Sequence, residues 1–201
     1  MKNTLKITSA MKMVASAKLH KAQTAIGNKL PYEQQLHRML AGLLQSEDLR
    51  ESLGKELGLS SRNGKSPVVL QDVDMDVLPS KKDAERVALV VFSSNSSLCG
   101  AFNANVIRKF NETVSRLREH GYELKDIDVF AVGKKAADAA VKAGFQLDED
   151  FTDLADKPSY DRAVDLASEL IDRLSEGEVE QVIFIYSHMA ATSSQPVIRE
   201  N

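Results

Sequence analysis

The sequence predicts an α/β domain preceded by one long α-helix. Three observations indicate this fold: the first 57 residues are rich in good helix formers, short apolar runs with many β-branched residues come later, and helical patterns alternate with those runs. The chain has 201 residues, of which 43% are apolar and 27% charged, so it can bury a core and has the composition of a globular protein. Its apolar runs are far shorter than the roughly 18 to 20 residues of a membrane-spanning helix, and no direct membrane span is expected.

Residues 1–57 are predicted to form the long basic helix. Apolar side chains recur every three or four positions along one narrow stripe, made of Ile7, Met11, Ala15, Leu19, Ala22, Ile26 and Leu30. We expect a kink near Pro31 and not a stop, because the carbonyl that the proline ring would meet belongs to Gly27, which leaves it room to tilt. A narrow stripe on so long a helix suits half of a coiled coil, and it suits equally a helix that lies across its own domain.

Residues 58–85 have the polar, turn-forming composition of a connecting loop, in which residues 68–70 have the pattern of a short edge strand. Strands and helices alternate from residue 86 to residue 201. The strands are predicted at residues 86–94, 127–133 and 181–187, and the helices at residues 103–119, 134–142 and 160–174. Because such alternation produces a parallel sheet with helices on both faces, the body is predicted to be a Rossmann-like three-layer domain.

Charge is distributed unevenly along the chain. The first 32 residues contain six lysines and no acidic residue, whereas the rest contains 20 basic and 29 acidic residues, a net charge of −9. The helix has no arginine and no aromatic residue before Tyr32, which argues against nucleic acid and against a lipid interface as its partner. An acidic protein fits best. The single cysteine and the lack of a signal-peptide pattern lead us to expect a cytoplasmic, reducing compartment.

No pattern predicts a catalytic residue, a cofactor site or a metal site. Lys65 lacks the glycine six positions earlier that a phosphate-binding loop requires, and the turn after the first strand contains only Gly100 where a dinucleotide fingerprint needs three glycines. No histidine is near Cys99 in sequence, and no cysteine or histidine pair has metal-ligand spacing. The acidic residues 147–156 lack the glycine and terminal glutamate of a calcium loop, so a solvated loop is expected there.

Four stretches of the sequence resemble the gamma subunit family of the F-type ATP synthases. They are NTLKITSAMKMVASAKLHKAQ (residues 3–23) with LPYEQQL (30–36), RVALVVFSSNSSLCGAFNANVI (86–107) and IFIYSHMAATSSQP (183–196). The resemblance implies a central-stalk rotor that couples transmembrane proton flow to ATP synthesis by rotating inside the alpha–beta hexamer, with no chemistry of its own. In that family the N-terminal helix pairs with a C-terminal helix as an antiparallel coiled coil, and the body lies against epsilon and the ring of membrane c subunits.

The resemblance also implies a set of partner contacts and a location. The positions that match the family's motifs, and that would face the lower acidic region of the hexamer, are Met11, Lys12, Met13, Val14, Lys18, Leu98, Cys99 and Gly100. The implied location is peripheral, on the cytoplasmic side of the bacterial inner membrane.

The chain departs from the family pattern in three respects. Residues 95–97 (Asn-Ser-Ser) replace a charged residue and a glycine, the chain starts inside the first helix motif, and it stops before the final strand region and the C-terminal helix. Because the apolar stripe would then lack its partner helix, we expect this helix to self-associate, to fold back on the body or to be disordered. Two alternatives stay open: a Rossmann-type small-molecule enzyme with a helical extension, and a truncated paralogue that binds the hexamer without rotating.

Overall fold

The computed structural model describes residues 2–44, 86–147, 149–188 and 194–200. The first of these ranges is a single helix, α1 (Lys2–Leu44), which continues through Pro31. At about 1.5 Å per residue, its 43 residues extend about 65 Å. The predicted end of the helix at residue 57, the connection 58–85 and the short strand at 68–70 lie outside the described residues.

The second part is a four-stranded sheet with helices on both faces. Its strands are β1 (Val87–Phe92), β2 (Ile127–Val132), β3 (Gln181–Ser187) and β4 (Val197–Glu200). Its helices are α2 (Phe102–Glu119), α3 (Lys134–Lys142) and α4 (Tyr160–Ser175), with short 3-10 turns at Leu124–Asp126 and Thr152–Ala155. The strand order is β2-β1-β3-β4, so β1 lies at the centre of the parallel part of the sheet.

The side chains of β1 alternate between two cores. Leu89 aligns with Val129 of β2 and Ile183 of β3, and all three belong to the core under α2 and α3. The next residue, Val90, points to the opposite face, into a core that includes Phe151 and side chains of α4. This burial on both faces explains why β1 is a nearly continuous apolar run. The Rossmann-like, three-layer prediction is confirmed.

Strand β4 is a feature that the sequence prediction missed. It pairs antiparallel with β3 and places Ile198 opposite Tyr186. The strand has only four residues, and three of them are half-buried, so no buried apolar run marks it in the sequence. The sheet is therefore mostly parallel, with one antiparallel edge.

A network of charged side chains joins the strands to α4. Asp128 of β2, whose side chain is 12% exposed, forms ion pairs with Arg86, just before β1, and with Arg173 of α4 at 3.1 Å. Arg173 also donates to Glu169 at 2.6 Å, and its guanidinium lies over the ring of Phe130. The network compensates the charge of a carboxylate that burial alone would destabilise.

Candidate partner-contact site

The eight residues expected to contact partners belong to two separate parts of the molecule. Five of them lie on α1, and the other three lie in the turn between β1 and α2.

On α1, the expected contact residues do not share one face. Met11, Val14 and Lys18 are spaced by three and four residues, so they lie together on one side of the helix. Lys12 and Met13 lie about 100° and about 200° around the helix from Met11. All five side chains are exposed, with Met11 at 56% and Val14 at 58%.

Most of the described side chains of the apolar stripe of α1 are exposed. Ile7, Met11 and Leu19 are 62%, 56% and 48% exposed, and Ile26 is half-buried. A long helix with an exposed stripe of this kind is typical of a surface that packs against another helix.

We expect the isolated chain to self-associate through this stripe. Its weight-average mass, measured by light scattering, should rise with protein concentration, because association removes apolar side chains from water. The M11K/L19K variant should lower that rise. The S9K/S16K variant adds the same charge on the other side of α1 and should leave the rise in place. A wild-type mass that is independent of concentration would contradict this expectation.

In the sheet domain, the turn after β1 presents an exposed leucine. Leu98 is 87% exposed, Cys99 is half-buried, and Gly100 has a φ of +58°, in the left-handed region that favours glycine. A Cβ on Gly100 would meet no atom within 4 Å, so the backbone conformation and not crowding accounts for the glycine.

The turn folds around the side chain of Asn103, in the first turn of α2. Asn103 is 7% exposed, and its side-chain Oδ1 accepts from the Ser94 backbone N–H at 3.0 Å. Its Nδ2 donates to the Ser96 carbonyl at 2.8 Å and to the Cys99 Sγ at 3.0 Å. One buried side chain therefore holds both ends of the turn.

Asn95 ties the same turn to two other segments. Its Oδ1 accepts from the backbone N–H of Lys134, at the start of α3, at 2.7 Å. Its Nδ2 donates to the Thr152 carbonyl at 3.0 Å and to the Asp156 Oδ2 at 2.7 Å. The family was expected to have a charged residue and a glycine within residues 95–97. In this chain the neutral side chain of Asn95 joins three parts of the fold through hydrogen bonds.

Ser93 brings the turn into close contact with the end of β2. Its Oγ accepts from the Ala136 backbone N–H at 2.8 Å and so caps the first turn of α3, and its N–H donates to the Val132 carbonyl at 2.7 Å. Gly133 lies against it with a φ of +105°.

Two of the acidic residues after α3, Asp150 and Asp153, lie against one arginine. Arg162 of α4 donates to the Asp150 carbonyl at 2.7 Å and contacts the Asp153 carboxylate at 3.4 Å. Hydrogen bonds from the side chain and backbone of Thr152 lower the pKa of Asp150. Within the described residues, no group of three or more histidine, cysteine, aspartate or glutamate side chains could hold a metal ion.

Two apolar cavities lie on the α4 side of the sheet and share Phe92, Ser93 and Phe184. One, of about 650 Å³, lies between the strands and α4, and the other, of about 540 Å³, lies at the carboxyl ends of β1 and β3. In Rossmann-like domains this edge of the sheet is where ligands bind. The second cavity is lined mainly by aromatic and hydroxyl side chains, and Glu200 is its one charged residue. The described lining of this cavity contains no positively charged side chain.

The sequence prediction identified the exposed end of the turn but missed what holds it. Asn103 and Asn95 were not among the predicted residues, since the prediction followed motif positions and not hydrogen bonds. An asparagine in the first turn of a helix is a signal that could have suggested Asn103, because its side chain readily bonds nearby backbone groups.

Comparison with known proteins gives a consistent set of relatives. The family model described as "ATP synthase" matches residues 1–201. The ATP synthase gamma chain of Phocaeicola vulgatus is 41% identical over 198 residues, which are 98% of this chain and 60% of that protein. The gamma chain of Bacteroides thetaiotaomicron is 44% identical over 199 residues, 99% of this chain and 58% of that protein. The chain thus spans about 60% of the length of these curated relatives.

A solved structure shares the fold. A chain from the cryo-EM structure of the central stalk and c-ring of the Tetrahymena thermophila mitochondrial ATP synthase is 21% identical, with a TM-score of 0.53. The match covers 96% of this chain and 70% of that one. In the described part of this chain, no helix combines the length and the hydropathy that crossing a membrane requires.

Proposed function

Because the chain belongs to the ATP synthase family, we propose that it is the central-stalk rotor subunit, gamma, of an F-type ATP synthase. It couples transmembrane proton flow to ATP synthesis by rotating inside the alpha–beta hexamer, and it performs no bond chemistry itself. The observation that carries this proposal is the match of the family model to all 201 residues, with gamma chains as the curated relatives. Its partners are the alpha and beta subunits, epsilon and the ring of c subunits, on the cytoplasmic side of the bacterial inner membrane.

The shape of α1 supports the role of a shaft. A helix about 65 Å long can transmit a turn over a distance greater than the size of a small domain. In this proposal, each orientation of the shaft contacts the three beta subunits differently and so favours a different nucleotide-binding state in each of them. The coupling lies in the differences between those contacts, and the rotor needs no reactive group.

The contacts themselves combine charge and apolar surface. On one side of α1, Lys18 lies beside Met11 and Val14, so a partner meets a cation flanked by exposed apolar groups. Lys12 extends the positive charge to a neighbouring side of the helix. Exposed ion pairs contribute roughly 0 to 1 kcal/mol each and weaken with salt. The affinity of this contact should therefore be moderate and should depend on salt.

We expect the K12Q/K18Q variant to bind a reconstituted alpha–beta hexamer about fivefold more weakly than wild type at low salt, because two exposed ion pairs are lost. Biolayer interferometry at increasing salt measures both the affinity and its salt dependence. The K21Q/K29Q variant is the matched control, since it removes the same charge from other exposed positions of α1. Equal losses in the two variants would show that Lys12 and Lys18 have no specific contact, and no binding by wild type would contradict the proposed function.

A further inference from the structure

We propose that the two cavities on the α4 side of the sheet form one binding site for a small amphiphilic amine. The ammonium group lies in the cavity that contains Glu200, which we call the head cavity. The alkyl tail extends into the cavity between the strands and α4, which we call the tail cavity. This site goes beyond the proposed rotor function and does not depend on it.

The size and position of the two cavities are those of a small-molecule site. The head cavity has a volume of about 540 Å³ and the tail cavity one of about 650 Å³, and small-molecule sites typically measure about 300 to 1,000 Å³. The cavities adjoin, since Phe92, Ser93 and Phe184 line both of them. The head cavity also lies at the carboxyl ends of β1 and β3, the edge at which Rossmann-like sheets bind ligands. One elongated ligand can therefore occupy both cavities.

The charge in the head cavity is a carboxylate without a cation beside it. Glu200 of β4 is half-buried and lies opposite Phe184 of β3. The preceding residue, Arg199, lies opposite Ile185 and so points to the other face of the sheet. In the parts of the chain that the structure describes, no basic side chain forms an ion pair with Glu200. The head cavity is therefore complementary to a cation.

Aromatic rings form most of the remaining wall of the head cavity. They belong to Phe92, Phe102, Phe184 and Tyr186. An ammonium group beside such rings is attracted by their π-electrons in addition to the carboxylate, and the first carbons of its tail pack against the same rings. A neutral or anionic head group gains neither electrostatic contribution. The lining thus selects an organic cation.

A buried hydroxyl in the head cavity indicates that this cation is a primary amine. The Oγ of Ser187 is buried, and it has no hydrogen-bond partner among the described residues. Buried polar atoms are normally paired, so this hydroxyl points to a ligand. A primary ammonium carries three N–H donors and can donate to both Glu200 and Ser187, whereas a quaternary ammonium has no N–H to donate.

The tail cavity has the lining that an alkyl tail requires. Leu166, Leu170 and Leu174 of α4 face Val182 and Phe184 of β3 across it. Its described lining contains no charged side chain. Because each methylene removed from water raises the affinity by up to about fourfold, affinity should increase with tail length until the cavity is full.

Isothermal titration calorimetry with the full chain tests the site through probes that differ in head group or tail. We expect octylammonium to bind at least about tenfold more tightly than 1-octanol and octanoate, which lack the positive charge. Butylammonium should also bind at least about tenfold more weakly than octylammonium, because its tail is shorter. Equal affinities for octylammonium and 1-octanol would overturn the cation site, and equal affinities for the two amines would overturn the role of the tail cavity.

Two variants assign the head and the tail to their cavities. We expect E200Q to bind octylammonium about tenfold more weakly and 1-octanol within about twofold of wild type, since only the charge is removed. The matched control is E178Q, which changes an exposed glutamate outside the site. A167F places a ring in the tail cavity and should weaken octylammonium about fivefold while leaving butylammonium within about twofold. Its control is A139F, at an exposed alanine of α3. Wild-type affinity for octylammonium in E200Q or in A167F would refute the proposed placement.

A lysine side chain of a partner protein carries the same ammonium group as a free amine. Nα-acetyl-lysine amide distinguishes these two sources, because its stem is too short to fill the tail cavity. We expect it to bind at least about tenfold more weakly than octylammonium. If it binds as tightly, the head cavity recognises a lysine and the amphiphilic amine is wrong. None of these measurements uses the alpha–beta hexamer, so this site and the rotor function can fail separately.

Discussion

Replacement of Gly133 by alanine is expected to lower the free energy of unfolding of the sheet domain by about 3 kcal/mol or more. Two costs combine at this position. The φ of +105° is one that residues with a Cβ rarely adopt. A Cβ would also lie 2.2 Å from the Ser93 carbonyl oxygen and 2.7 Å from the Ser93 Oγ. Ser93 cannot move aside cheaply, because its hydrogen bonds to Val132 and Ala136 join β1, β2 and α3.

Urea unfolding followed by circular dichroism measures this effect. The matched control is G144A, which also has a positive φ, of +94°, but whose Cβ would be 3.6 Å from Leu124 Cδ1, an ordinary contact. The control should lose only about 1 to 2 kcal/mol, the conformational cost alone. A loss in G133A no larger than that in G144A would show that the close approach to Ser93 is relieved in solution.

Replacement of Asp128 by alanine is expected to lower the free energy of unfolding by about 2 to 3 kcal/mol. The change leaves Arg173, whose side chain is 18% exposed, with Glu169 as its remaining carboxylate partner, and it leaves Arg86 without the carboxylate that it contacts. The figure lies below the 3 to 5 kcal/mol typical of a fully buried pair, because the Arg86 side chain is 41% exposed and water compensates part of its charge.

The same unfolding measurement compares D128A with D138A, in which an exposed aspartate of α3 is removed. D138A should change the free energy of unfolding by less than about 0.5 kcal/mol. If D128A has as small an effect as D138A, the network between the strands and α4 does not contribute to stability.

Those parts of the fold that depend on burial were predictable from the sequence. The run from Val87 to Phe92 is apolar because β1 is covered on both faces, so its pattern alone located it to within two residues. Helix α3 and strand β3 begin and end at the predicted residues. Strand β4 escaped prediction because its pairing with β3 depends on backbone hydrogen bonds at an edge, which leave little trace in side-chain pattern.

The candidate contact site was predictable only in part. A motif position can single out Leu98 as a candidate contact residue, because a motif is read from neighbouring positions in the sequence. The roles of Asn103 and Asn95 depend on which segments the fold brings together, and the Asn95 bonds reach residues 39 and 57 positions away. The faces of α1 were predictable in principle, because the positions of Met11, Val14 and Lys18 around a helix follow from its geometry. Met11 is the one residue of α1 that belongs both to the apolar stripe and to the expected partner contacts.

Single-molecule rotation tests the central claim most directly. The chain, with a bead attached at exposed position 142 through K142C, would be assembled with an immobilised alpha–beta hexamer and observed during ATP hydrolysis. We expect the bead to turn in one direction with three dwell positions per revolution, one for each beta subunit. A chain that binds the hexamer while its bead stays still, as ATP is hydrolysed, would contradict the rotor function and favour the non-rotating paralogue.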